Sequence, residues 1–382
     1  MSLISRRRFA SMSAATIVTA GVMRSRAIHA AVQESGLKDV FRGDFLVGTA
    51  VNSRTLADAD SKQRELIARE FNSITAENCM KWGLIEPQEG RWNWDCPDRF
   101  VEFGTKHGMR IVGHTLVWHS QAPEYLFVDE NGGPISNERL QKRLENHIGT
   151  LVGRYRGRIA IWDVVNEAID EDEKGWRQTP WLKILGPSYM ERAFQLAHEA
   201  DPKAHLIYND YNEHNPGRRK FLVDRIRDYK RRGIPIHGVG FQGHIGLDYP
   251  DLSEYEQSIE AIAAEGLAVH ITELEVDVLP RAWEFTGAEI SAIKGYSERL
   301  NPYVKGLPTD VEQQQIDRYK QFFELLLKHR DKIERVTFWG THDGESWKND
   351  FPVRGRTNYP LLFDRQLHRK PAYHAVAALG RS

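Results

Sequence analysis

Two glutamates stand where apolar, strand-like runs end: Glu167 in IAIWDVVNEA (159–168) and Glu273 in LAVHITELEV (267–276). Ile161, Trp162, Val164 and Val165 want burial on a pleated surface, and a carboxylate closing such a run is costly to desolvate without a partner. Two carboxylates facing each other suit the cleavage of a glycosidic bond. One protonates the leaving oxygen, and the other attacks the anomeric carbon or activates water. At roughly 5.5 Å apart they repel by about 3 kcal/mol at an effective dielectric of about 20, or about two pKa units, which lifts one of them from about 4.3 towards about 6. Strand alternation sets Glu273, Glu275 and Asp277 on one face, so Glu273 needs a donor to stay ionised. His244 is placed to donate, with Glu275 supporting its imidazole from behind. Glu273 then reads as the nucleophile and Glu167 as the proton donor. Asn166, beside the acid, can bond a sugar 2-hydroxyl as the oxocarbenium-like transition state forms.

Bringing two such residues together takes a particular arrangement of elements. Eight apolar runs recur along the chain, at 45–51, 72–78, 110–118, 159–168, 205–212, 238–244, 267–276 and 335–343, most of them followed by a helical pattern. Leu140, Leu144, Ile148 and Leu151 share one helix face, as do Phe221, Leu222, Ile226 and Tyr229, and Tyr319, Phe322, Phe323, Leu326 and Leu327. Strands buried on both faces and alternating with helices imply a parallel sheet, and eight of them a closed α/β barrel, the (β/α)8 TIM barrel, as a single catalytic domain. Active sites of such barrels lie at the C-terminal strand ends. Those ends carry Glu77 and Asn78, His114 and Trp118, Asn166 and Glu167, Asn209 and Tyr211, Gln242 and His244, Glu273 and Glu275, and Trp339. Trp118, Trp339 and Trp347 can stack on pyranose faces, and Lys81, Asn78, His114 and Gln121 can read hydroxyls.

The 382 residues include 52 basic and 53 acidic ones, and 41% are hydrophobic. That near-zero balance gives no footprint for nucleic acid or an anionic membrane surface, so a small or uncharged partner is expected. The basic run 218–232 holds helical apolar spacing interrupted by acids and reads as a solvated helix face. Two cysteines, Cys79 and Cys96, are too few for a disulfide scaffold or a cysteine-built zinc site. His114 and His119 lack a third ligand at metal-site spacing, and no phosphate loop or nucleotide motif occurs, so neither metal nor cofactor is expected. His119 and His205 read as satisfied core histidines. Residues 1–31 look like an export signal: Ser5-Arg6-Arg7-x-Phe9 resembles a twin-arginine motif, followed by an apolar stretch too short to span a bilayer and by small residues at Ala30 and Ala31. The mature chain then starts near Val32 and works in the periplasm or outside the cell, free of the membrane. Residues 32–43 are expected to pack on a catalytic domain running over 44–382, with a long loop at 279–310 between the seventh and eighth strands.

Seven ordered motifs carry a resemblance: TAENCMKW (75–82), GHTLVWHSQAP (113–123), WDVVNEA (162–168), YNDYN (208–212), GFQGH (240–244), ITELEV (271–276) and WGTHDGESW (339–347). Together they resemble glycoside hydrolase family 10, the endo-β-1,4-xylanases, over essentially the whole mature chain. The resemblance implies retaining hydrolysis of xylan and xylo-oligosaccharides, with Glu167 as acid/base and Glu273 as nucleophile. It further implies that Glu77, Asn78, Lys81, His114, Trp118, Gln121, Asn166, His244, Trp339 and Trp347 line the sugar subsites next to the cleaved bond. Trp347 matches a tryptophan that crowds the place of a hexose hydroxymethyl group, so a pentose preference is implied, and a monomer is expected. The sequence departs from the family pattern in two places. Glu275 stands where the family has aspartate, leaving open whether Glu275 or Asp277 supports His244, and the loop at 279–310 is longer than usual. Two other readings remain: an endo-β-1,4-glucanase on the same fold, told apart by whether Trp347 tolerates a hexose, and a carbohydrate-binding protein without catalysis, which would be expected to lack one of Glu167, Glu273, Asn166 or His244.

Overall fold

A computed structural model describes residues 35–58, 61–170, 175–281 and 299–380. Residues 1–31, where an export signal is expected, and the middle of the 279–310 loop lie outside the described residues.

Eight parallel strands close on themselves: β1 (Leu46–Val51), β2 (Ser73–Ala76), β3 (Arg110–Val117), β4 (Ile161–Asn166), β5 (His205–Asp210), β6 (Gly238–Phe241), β7 (Ala268–Asp277) and β8 (Ile333–Phe338). Neighbours in sequence are neighbours in the sheet, β6 pairs with β7, and β8 returns to β1. Each strand is buried along nearly its whole length because helices cover the outside while side chains fill the inside, which is why the runs read as continuous rather than alternating. The large apolar core lies between barrel and helices, where Leu140, Leu144, Ile148 and Leu151 of the helix Asn137–Arg154 and Phe322, Phe323 and Leu326 of the helix Thr309–Lys328 are fully buried. Val112, Ile161 and Ile207 form a small separate apolar cluster. They alternate along β3, β4 and β5 with His114, Asp163, His205 and Asn209, so the barrel lumen is an apolar waist between polar layers.

Most strands are shorter than their sequence runs, and in two of them the early end shapes the site. β2 stops at Ala76, freeing Glu77 and Asn78 from the ladder, and β6 breaks after Phe241. The chain resumes strand pairing over His244–Gly246, a continuation that sets His244 opposite Glu275 of β7. Gly243 makes the break possible, since its φ of +76° is one that few other residues tolerate. At the N-terminal side Phe41, fully buried, stacks on Phe45 at 5.2 Å and lies 5.4 Å from Phe323. Among the described residues no helix is long and apolar enough to cross a membrane.

Candidate active site

Glu273 sits on β7 at 5% exposure. His244 Nε2 lies 3.1 Å from its Oε2, and the other imidazole nitrogen, Nδ1, lies 2.8 Å from Glu275 Oε1. Burial works against a charge on the ring, but Glu275 and Glu273 together push the His244 pKa up to about 9, so at neutral pH it is an imidazolium donating to both carboxylates. The effect on Glu273 is reciprocal. Burial raises its carboxyl, yet the bond and charge of His244, with help from His114 and a hydrogen bond from Asn209, hold it below its ordinary value. The longer side chain at 275 therefore reaches the imidazole without difficulty. Asp277 has another task, accepting from Asn358 Nδ2 at 2.8 Å and from the Leu279 N–H at 2.9 Å.

Glu167 follows directly on β4, half-buried, at a φ of +56°. A non-glycine residue in the left-handed region costs about 1–3 kcal/mol and persists only where its surroundings enforce it. Here the Glu167 N–H donates to the Asn209 carbonyl at 2.9 Å and Arg177 Nε donates to the Glu167 carbonyl at 3.0 Å. The twist ends the strand and turns the side chain to three donors: Trp118 Nε1 at 2.8 Å on Oε2, and Gln242 Nε2 at 2.9 Å and Asn166 Nδ2 at 3.1 Å on Oε1. Asn209 joins the two glutamates, its Nδ2 lying 2.8 Å from both Asn166 Oδ1 and Glu273 Oε1. Thr272 fixes that amide by donating to Asn209 Oδ1 at 2.6 Å.

The remaining strand ends supply polar and aromatic groups around this pair. Lys81, 6% exposed, donates to Asn78 Oδ1 at 2.9 Å and lies 5.0 Å from the Trp118 ring and 6.0 Å from that of Trp339. Burial lowers its pKa against the opposing pull of Glu273, Glu77 and Glu167. Glu77 accepts from Asn78 at 3.0 Å, and burial pushes its carboxyl up despite Lys81. His114 Nδ1 donates to Asp163 Oδ2 at 2.8 Å, and the imidazole meets Trp339 edge-on at 5.2 Å. Trp347 donates from Nε1 to Glu275 Oε1 at 2.8 Å and packs on Phe351 at 5.1 Å.

Two of the expected residues stand apart from this network. The Tyr211 hydroxyl accepts from Arg177, and the ring lies under the Arg218 guanidinium at 5.2 Å, so Tyr211 supports the backbone behind Glu167. Gln121 is exposed, and its carbonyl accepts from the Gly83 N–H at 2.8 Å. Thr272, Arg177 and Asp163 were not singled out in the sequence. Thr272 and Asp163 lie inside strand runs, where Thr is an ordinary strand residue, and Arg177 follows β4 with no pattern to mark it.

A carboxylate held ionised across from a half-buried, donor-bound glutamate, in the mouth of a (β/α)8 barrel, has the layout glycosidic bond cleavage requires, and fold and site together define a glycoside hydrolase. Residues 36–379 match the family described as Glycosyl hydrolase family 10, and the chain belongs to that family. The endo-1,4-beta-xylanase A of Xylanibacter ruminicola is 46% identical over 343 residues, covering 90% of this chain and 93% of that protein. The endo-1,4-beta-xylanase of Geobacillus stearothermophilus is 41% identical, covering 89% and 97%. A solved GH10 endoxylanase retrieved from a sugarcane soil metagenome superposes with a TM-score of 0.85 at 52% identity, covering 90% of this chain and all of that one.

Proposed function

We propose that the protein is an endo-1,4-β-xylanase that hydrolyses internal xylosidic bonds with retention of configuration. The observation that carries this reading is the ionised Glu273, bonded to the His244 imidazolium and linked through Asn209 and Asn166 to Glu167. In the first step a Glu273 oxygen bonds to the anomeric carbon as the glycosidic bond breaks, and Glu167 gives its proton to the departing oxygen. In the second, Glu167 takes a proton from water, whose oxygen displaces Glu273 and restores both groups. Asn166, held between Glu167 and Asn209, is oriented for the sugar 2-hydroxyl. The xylan preference is supported by the relatives, which are named as endo-1,4-beta-xylanases, and by the fixed indole of Trp347 beside His244 at 5.2 Å. The chain acts as a monomer. The arginine pair at Arg6 and Arg7 directs its export, and mass analysis of chain recovered outside the cytoplasm should find a start near Val32.

Proton NMR of the mature protein acting on xylohexaose tests the proposal. Internal cleavage with the β-anomer formed first is expected. If the α-anomer appeared first, the nucleophile assignment would fall, and cleavage of cello-oligosaccharides at a comparable rate would favour the glucanase reading.

A further inference from the structure

At the N-terminal end of the barrel, the end opposite the glutamate pair, three side chains from three strands converge. His205 opens β5, His270 is the third residue of β7, and Glu334 is the second of β8. His205 Nε2 and His270 Nε2 are 3.2 Å apart, and Glu334 Oε2 lies 3.7 Å from the first and 3.8 Å from the second. The point equidistant from three atoms so spaced is about 2.1 Å from each, the length of a zinc–imidazole or zinc–carboxylate bond.

Two departures from regular barrel structure make this convergence possible. Between β5 and β7 runs β6, and its Gly238 leaves open the space in which the imidazoles meet: a Cβ there would fall 2.9 Å from His270 Nε2 and 3.0 Å from His205 Nε2. Along β8 the pairing with β7 slips, Val269 opposing Ile333 and His270 opposing Arg335, so Glu334 is the extra residue of a bulge. Bulges re-aim side chains, and this one brings a carboxylate to two histidines. Arg335, fully buried in the same layer, opposes a cation, but it donates to Thr337 at 2.7 Å and faces Asp163 at 3.9 Å, and Glu334 adds a negative charge.

We propose that His205, His270 and Glu334 form a binding site for a divalent transition-metal ion, zinc above all, with water in the fourth position. Two imidazoles and one carboxylate are a ligand set for zinc and its neighbours rather than for calcium or magnesium, which take oxygen cages. His205 and Glu334 are partly exposed, at 27% and 35% of their side chains, which gives the ion an entry and leaves one position to water. The bound ion ties β5, β7 and β8 together on the face of the barrel that governs stability rather than catalysis.

The test uses the mature protein stripped with chelator and dialysed against micromolar zinc. We expect one zinc retained per chain, a thermal midpoint raised by a few degrees, the rise growing with free zinc, and xylan hydrolysis unchanged at 25 °C. Both effects are lost in His205→Asn and in Glu334→Gln, and calcium or magnesium reproduces neither. Failure of the wild type to retain zinc would overturn the site. So would equal retention by both variants, which would place the ion elsewhere, as at the surface group Glu256, Glu260 and His329. Should a variant not fold, the wild type loaded with cobalt decides: a four-coordinate visible spectrum supports the site, and a six-coordinate one excludes it.

Discussion

His244 carries a charge on which both of its glutamate neighbours depend, and this makes it the residue through which pH acts. Its pKa of about 9 lies above the ordinary histidine value, so the stabilisation it provides is complete below about pH 6.5, fades between there and about 9, and is lost beyond. Glu273 titrates the other way: its value is depressed, so its contribution is present above the ordinary carboxylate range and is lost as pH falls through its lowered value. Replacing His244 by Gln should remove up to about 3 kcal/mol at pH 6.5 and almost nothing at pH 10. Thermal midpoints of the two proteins across that range would converge at high pH, and parallel curves would contradict the assignment. The same change frees Glu273 to take up a proton, so the acid limb of kcat/KM should move to higher pH. Glu167 has a different signature. Glu167→Ala should lose about 10²–10⁴ in kcat on xylo-oligosaccharides, yet keep the first step on an aryl xylobioside whose leaving group needs no proton. Added azide should then restore turnover and yield the β-glycosyl azide. An α product would mean that Glu167, not Glu273, is the nucleophile.

Between strands, the site depends on places where side chains pass through a neighbouring element. Gly240 of β6 is one, since a Cβ there would fall 2.3 Å from Asn209 Oδ1, closing the route by which β5 reaches Glu273 on β7. Gly243 is the other, allowing β6 to break and resume at His244. Gly243→Ala puts a side chain at φ +76° and 3.0 Å from Ile271 Cγ2, costing about 1–2 kcal/mol of stability and displacing His244. Activity should therefore fall by more than the thermal midpoint suggests, and the Glu273 acid limb should move as it does in His244→Gln. A variant with normal kinetics would show that the break is incidental. These devices also mark how far the sequence could be read. The apolar runs and helix faces located all eight strands, because burial on both faces leaves an unmistakable composition, and the polar residues closing them named both glutamates and their histidine. Much of what escaped was set by register. Thr272 against Asn209 and the bulge at Glu334 each join residues distant in the chain whose meeting depends on the relative slide of strands, and composition does not record that slide. Arg177 escaped for another reason, lying in a loop ten residues after Glu167 with no periodicity to mark it. Tyr211 shows the converse, a residue at the right position in its run whose hydroxyl is taken by Arg177.

At the scale of the whole molecule, one buried carboxylate ties the first described residues to the last helix. Glu70 is fully buried and accepts from the Leu37 N–H at 3.2 Å, Tyr373 Oη at 2.8 Å, Arg69 Nε at 3.1 Å and Arg369 Nη2 at 2.7 Å. Arg369 Nη2 also donates to the Ser35 carbonyl at 3.0 Å, and Tyr373 belongs to the helix Pro371–Leu379. A barrel closed by β8 on β1 brings the two ends of its chain to the same side, and Glu70, just before β2, is where both are held. Removing its charge leaves Arg369, its side chain 14% exposed, beside a neutral group, and losing one partner of a buried pair costs at most about 3–5 kcal/mol. Arg69, half exposed, adds little. Glu70→Gln should therefore lower the thermal midpoint by about 5–10 °C. Because none of the contacts of Glu70 includes a residue of the glutamate pair or its donors, kcat on xylohexaose at 25 °C should be unchanged. Calorimetry alongside a rate measurement separates the cases: a midpoint within a degree of wild type would show that the ends are held elsewhere, and a lost rate at an unchanged midpoint would place Glu70 in the catalytic network.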